Sequence, residues 1–269
     1  MKKASAPIGV FDSGLGGLTV FKALSRLMPE ESLIYFGDTA HVPYGSKSPE
    51  AIARFSTEVA RFLDGRGIKL LVVACNTSSA WALPAIRRAV KIPVVGVIEP
   101  GARAAIAVSR GKAIGVIGTE ATVKSRAYPR AVAALRRRTR TESRACPLFV
   151  PLVEEGWWNG DIVEAVARRY MAPLKRAGVD TLILGCTHYP YLKGVLSRVM
   201  GRGVSLIDSA EETARETERV LADLGLRAKR GARGRREFYA SDAPERFKRL
   251  ARRMLGPGVA SVRLHPFDA

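Results

Sequence analysis

The chain is short of the residues that build metal sites and disulfide frameworks. It has three cysteines, Cys75, Cys146 and Cys186, and three histidines, His41, His188 and His265. No Cys-x-x-Cys pair occurs, so no zinc pattern is present and no metal is expected. An odd number of widely spaced cysteines is not a disulfide framework, and in a reducing cytoplasm all three are free thiols. Long apolar runs are also missing. A spanning helix needs about 20 apolar residues in a row, and runs such as Leu70 to Cys75 are far shorter. The first residues, MKKASAPIGVFDSG, carry two lysines but no hydrophobic signal region, because the apolar stretch Ile8 to Phe11 stops at Asp12. The expected location is the cytoplasm, with no membrane partner. Acidic residues are the last scarcity: 25 stand against 44 basic ones, a net charge of +19.

The basic excess is concentrated. Arg136 to Arg144 holds five arginines against Glu142, and Leu226 to Arg253 holds eleven Lys or Arg against Glu237, Asp242 and Glu245. Such stretches suit a nucleic-acid or acidic-partner surface. No aromatic interleaving or nucleic-acid motif accompanies them, which favours solvated helix faces.

What is present is an α/β pattern. Over 269 residues, 47% are apolar and 26% charged, enough for one large domain or two small ones. Short apolar runs read as strands: Ile8–Phe11, Ser32–Phe36, Leu70–Ala74, Val94–Val97, Ala113–Ile117, Leu182–Gly185 and Ser205–Ile207. Amphipathic stretches between them read as helices, among them Pro49–Gly65, Ser78–Ala89, Val123–Arg138 and Asp161–Ala177. Continuous apolar strands with helices between them predict parallel sheets covered on both faces.

The two halves echo each other. Ile8 to Ser13 aligns with Ile114 to Thr119, Leu71 to Thr77 with Leu182 to His188, and Val97 to Glu99 more loosely with Leu206 to Asp208. Three matches in one order suggest duplication. The predicted architecture is two pseudo-symmetric α/β domains, each a mainly parallel sheet flanked by helices, with the active site in the cleft between them. Residues 1–97 with 209–269 are expected to form the first domain and 98–208 the second.

Cys75 and Cys186 each end a strand and precede a turn rich in small polar residues. A lone Cys after a strand is usually packing; two at equivalent places in facing repeats point to chemistry. A helix N-terminus stabilises a thiolate, so a useful thiolate fraction at neutral pH is expected. Inverting a carbon centre needs a proton taken from one face and another delivered to the opposite face, and one thiolate with one thiol suffices. Cys146 has no counterpart and reads as packing.

The polar groups nearby fit a small, charged substrate. Asp12 to Gly17 is a Gly-rich turn without the full dinucleotide-binding spacing. Its backbone and Ser13 suit a carboxylate, and Asp12 suits an ammonium or a role in deprotonating Cys75. Gly37 to Gly45 forms a polar loop at a strand end, a pocket wall in such folds. Asn76, Thr77 and Thr187 offer donors and acceptors; Thr119 and Thr122 stand where Ser13 stands in the first half. His188 is placed either as proton partner of Cys186 or facing solvent. Glu154 and Glu155 either face the cleft or begin a turn.

Together, Asp12 to Gly17, Gly37 to Gly45, Ala74 to Thr77, Gly96 to Pro100, Gly118-Thr119 with Thr122, Pro151 to Trp157, Leu184 to Pro190 and Asp208 to Ala210 resemble the glutamate racemases of the aspartate/glutamate racemase superfamily. The resemblance implies no pyridoxal phosphate and no metal, with Cys75 and Cys186 as the two acid/base residues. It implies substrate contacts from Asp12, Ser13, Pro43, Tyr44, Gly45, Asn76, Thr77, Thr187 and His188. Asp12 and His188 would assist the cysteines, with Glu154 close by. It implies glutamate as substrate and D-glutamate supplied to peptidoglycan synthesis; a homodimer is the expected assembly. Aspartate racemase is the nearest alternative, though those relatives tend to carry Glu where this chain has His188. A DNA gyrase interaction through the basic surface is a second, and a cysteine hydrolase a third that lacks an oxyanion motif.

Overall fold

A computed structural model of the protein describes residues 3–267. Two all-parallel sheets form its frame. The chain begins with β1 (Ile8–Asp12), α1 (Leu18–Leu27), β2 (Leu33–Gly37), a 3-10 turn at Tyr44–Ser46, α2 (Pro49–Gly65) and β3 (Leu70–Val73). Next come α3 (Asn76–Trp81), α4 (Leu83–Ala89), β4 (Val94–Gly96), α5 (Ile98–Val108) and β5 (Ala113–Gly118). The second half continues with α6 (Glu120–Ser125), α7 (Ala127–Leu135), β6 (Thr141–Ala145), α8 (Phe149–Glu154), α9 (Asp161–Arg176) and β7 (Val179–Gly185). A 3-10 turn at Tyr189–Leu192 leads to α10 (Lys193–Met200), β8 (Ser205–Ile207) and α11 (Ala210–Asp223), and the chain closes with β9 (Arg236–Ala240), α12 (Pro244–Leu255) and β10 (Arg263–Leu264).

Strand order is β10-β9-β2-β1-β3-β4 in the first sheet and β6-β5-β7-β8 in the second. The internal echo of the sequence is therefore topological: β2-β1-β3-β4 and β6-β5-β7-β8 are the same permutation. The first sheet alone is extended, by β9 and β10 from the C-terminal segment. No helix among the described residues is long and apolar enough to cross a membrane.

Side-chain alternation fills both faces of the first sheet. Val10, Tyr35 and Val72 pack with Leu24, Leu221 and Phe247 on one side. Phe11, Phe36 and Val73 pack with Val59, Leu63 and Ile86 on the other. The second sheet repeats this, with Leu182 and Leu184 against Met171 and Leu196 and Val116 and Ile183 against Ala102 and Val132.

Two predicted helices are each broken in two. Ser78–Ala89 parts at Ala82, and Val123–Arg138 parts at Arg126, which takes a left-handed φ of 54°. The reason is proline. Pro84 and Pro129 cannot donate to the carbonyl four residues back, and their rings clash with it. The freed Ser125 carbonyl instead accepts Arg130 Nη1 at 2.6 Å. Three strands and two helices escape the sequence pattern: β6, β9, β10, α8 and α12.

Candidate active site

Both cysteines sit where strand alternation ends and a turn begins. Cys75 follows β3 and caps α3, its sulfur accepting from the Ser78 N–H at 3.5 Å. Cys186 follows β7 and lies 3.8 Å from His188 Nδ1. The two thiols line one narrow cavity between the sheets, with Ser13, Pro43, Tyr44, Gly45, Asn76, Thr77, Thr119, Thr187 and His188, and with Val42 and Val150 at its walls.

The remaining three residues singled out in the sequence stand one layer back, each gripping a wall residue. Asp12 accepts from Thr187 Oγ1 at 3.2 Å and from the Gly14 N–H at 3.0 Å. Thr122 bonds Thr77 and Thr119 at 3.1 and 3.0 Å, closing a triangle of hydroxyls between the halves. Glu154 Oε1 is 3.2 Å from His188 Nε2. Glu154 thus faces inward, while Glu155 points to solvent opposite Arg246. His188 is buried, not solvent-facing.

Close approach of the halves depends on missing side chains. A Cβ on Gly16 would stand 2.2 Å from Thr187 Oγ1 and 2.6 Å from His188 Nδ1, and one on Gly45 would stand 2.5 Å from Thr119 Cβ.

Burial sets the electrostatics. It pushes the Cys75 thiol up to about 11, helped by the Asp12 carboxyl and opposed by the Ser78 N–H and Ser13. The expected thiolate help from the helix start is present but outweighed, because the sulfur is desolvated and α3 is a single short turn and a half. Asp12 is likewise raised by burial, against the pull of His188 and the Gly17 and Gly14 N–H groups. Burial lowers His188, yet hydrogen bonds and charge from Cys186 and Glu154 prevail and raise it to about 10. The cationic form of His188 is thereby favoured at neutral pH.

Several residues outside the cavity support its walls. Tyr128 on α7 donates to Asn76 Oδ1 at 2.6 Å across 52 positions. Asp38, fully buried, accepts from Tyr44 at 2.5 Å and Ser241 at 2.6 Å, with His41 Nδ1 at 2.9 Å, and so anchors the Pro43–Gly45 wall. Tyr35 holds the Gly14 carbonyl at 2.8 Å. Among the described residues no group of three or more His, Cys, Asp or Glu is arranged to hold a metal ion.

Known proteins share this arrangement along almost the whole chain. The family described as Asp/Glu/Hydantoin racemase matches residues 8–217. A glutamate racemase of Geobacter metallireducens is 52% identical over 255 residues, covering 95% of this chain and 94% of that one. The crystal structure of glutamate racemase from Thermus thermophilus in complex with β-chloro-D-alanine superposes with a TM-score of 0.89 at 49% identity, covering 99% of both chains. That of Francisella tularensis glutamate racemase in complex with D-glutamate gives 0.91 at 36% identity, covering 98% of this chain and 99% of the other. By sequence, fold and extent of match, the chain belongs to the glutamate racemases of the Asp/Glu/Hydantoin racemase family.

Proposed function

We propose that the protein interconverts L- and D-glutamate by moving the α-proton between Cys75 and Cys186, without a cofactor. The observation that carries the proposal is the shared cavity: two thiols, each just past the equivalent strand of a repeated sheet, line the same enclosed space. Inversion needs two proton carriers on one centre, and this is the simplest arrangement that supplies them.

The resting charge state suggests how the roles divide. Cys75, raised to about 11, keeps its proton at neutral pH and is the donor. Cys186, with the His188–Glu154 pair as its proton partner, abstracts. The two exchange roles in the reverse direction. Thr187, backed by the Asp12 carboxyl, suits the substrate ammonium. Ser13, the Pro43–Gly45 wall, Asn76, Thr77 and Thr119 suit its carboxylates, with Thr122 holding the two threonine hydroxyls from behind. Glutamate as substrate is supported by what the relatives are called, one of them solved with D-glutamate. D-glutamate made in this way would feed peptidoglycan synthesis. We assign residues 1–97 with 209–269 to one lobe and 98–208 to the other, following the membership of the two sheets.

The test is D-to-L conversion followed by circular dichroism, with no pyridoxal phosphate or metal added. Cys75→Ser and Cys186→Ser should each lose turnover by about two to four orders of magnitude. Near-wild-type turnover in either ends the two-thiol mechanism, and equal turnover of aspartate overturns the choice of substrate.

A further inference from the structure

Beyond the cavity, the hydrogen-bond chain from Cys186 through His188 to Glu154 ends on a turn that is held from the other half of the molecule. Glu154 is the last residue of α8, and the turn Glu155–Trp158 follows it. Gly156 adopts a left-handed φ of 80°. A Cβ there would lie 3.2 Å from both terminal nitrogens of Arg253, on α12. The same guanidinium lies over the Trp158 ring, 5.4 Å from its centroid. It is thus seated between a bare stretch of backbone and an indole face, a favourable place for a planar cation. The indole is fixed in turn: Trp158 Nε1 donates to the Val153 carbonyl at 3.1 Å, and the ring leans on Tyr191 at 5.1 Å. Val153 is the residue before Glu154. Arg253, Glu154 and His188 line one recess together with Leu15, Leu250 and Met254.

We propose that Arg253 is a positioning residue for the reaction: seated between Gly156 and Trp158, it holds the turn that aims Glu154 at His188. Its relevance to turnover rests on the proposed role of Cys186 and His188. Arg253 touches no reacting atom. It acts through Trp158, Val153 and Glu154, tying α12 of the first half to the proton partner of the second half's cysteine. The exposed Arg246–Glu155 pair, at 3.6 Å, is a weaker tie between the same two segments.

The alternative, a direct effect of the Arg253 charge on His188, has the opposite sign. The groups facing His188 are Cys186 at Nδ1, Glu154 at Nε2, Asp12 from β1 and Arg253 from α12. Removing a nearby cation by itself would raise the His188 pKa. Releasing Glu154 would lower it, because one of the two partners that hold the proton would be lost.

With three histidines in the chain, histidine-labelled enzyme gives an NMR titration simple enough to follow each ring. The expected wild-type midpoint for His188 is about 10. Arg253→Ala should move it down by about one pH unit or more and lower kcat/KM about tenfold. Arg253→Lys, which keeps a cation over the ring, should recover part of both. Arg252→Ala, on the same helix but bonded to the Val259 carbonyl at 2.9 Å, should change neither. His41 and His265 report whether the fold is intact. If Arg253→Ala does not fold, Trp158→Phe severs the Val153 bond and should give the same downward shift. An unmoved or upward midpoint overturns the proposal. Full turnover in Cys186→Ser would instead remove the catalytic reading, and the titration would still report on Arg253.

Discussion

Gly16→Ala tests how tightly the two halves must close. The added methyl would arrive 2.2 Å from Thr187 Oγ1, 2.6 Å from His188 Nδ1 and 2.8 Å from Thr187 Cβ, where ordinary contact begins near 3.4 Å. None of these atoms is a free side-chain end. Thr187 Oγ1 is bonded to Asp12, and the His188 ring is held by Glu154. The β1–α1 loop must therefore retreat from the Cys186 turn by about 1 Å. Displacement of that size costs about a hundredfold in rate when it separates groups that must act together. Overpacking of a close interface costs about 1–3 kcal/mol in stability. The expected variant is folded, with kcat/KM down by about two orders of magnitude and a modestly lower melting temperature. Gly65→Ala is the control: it ends α2 with nothing within 4 Å of the new methyl, and it should gain about 0.5 kcal/mol or more with unchanged turnover. Racemisation by circular dichroism and a thermal melt read both variants. If Gly16→Ala keeps kcat/KM within about threefold of wild type, the close approach has no part in catalysis.

Two further outcomes follow from buried charge. His188 has a folded-state pKa raised to about 10 from 6.5, so its contribution to stability is fully present below pH 6.5 and is lost as pH rises toward 10. Denaturant titrations between about pH 6.5 and 8, below the pH at which thiols of the unfolded chain begin to ionise, should show a falling stability that His188→Gln abolishes; identical slopes would contradict the assignment. Lys69, fully buried, bonds Glu31 Oε2 and the Ala4 carbonyl, both at 2.5 Å. Lys69→Met removes the ion-pair partner of the buried Glu31 carboxylate, leaving it the Ala228 N–H at 2.7 Å, and should cost about 3 kcal/mol with kcat/KM unchanged, since neither group reaches the cavity; a melt indistinguishable from wild type would contradict it.

The legible parts of the fold were those with a strong period. Strands β1, β3, β5 and β7 are buried throughout, and apart from Asp12, Asp180 and Thr181 they hold only apolar residues and glycine, as strands covered on both faces should. β6 is a polar edge strand, Thr141-Glu-Ser-Arg-Ala145, with no apolar face to detect, although the internal repeat implied a counterpart to β2. β9 and α12 lay hidden in basic sequence. Yet α12 carries Phe247, Leu250, Ala251 and Met254 at helical spacing, a stripe packed on the first sheet's core. Pro84 and Pro129, which divide the two long helices, are themselves a sequence signal for those breaks. At the site, residues adjoining strand ends were found because position and chemistry coincide there. Tyr128 and Arg253 were not, because each acts through a partner remote in sequence, and a single chain carries no trace of such pairings.

The uneven composition of the two sheets bears on how the protein is made. The second sheet draws on one uninterrupted stretch, from β5 to β8, so all its strands have been synthesised before α11 is added. The first has β2 as a temporary border until β9 arrives some 200 residues later. Translation therefore leaves the earliest-made sheet waiting for the last-made strands. A ribosome stalled with α11 just clear of its exit tunnel should carry a compact second half beside an unfinished first one.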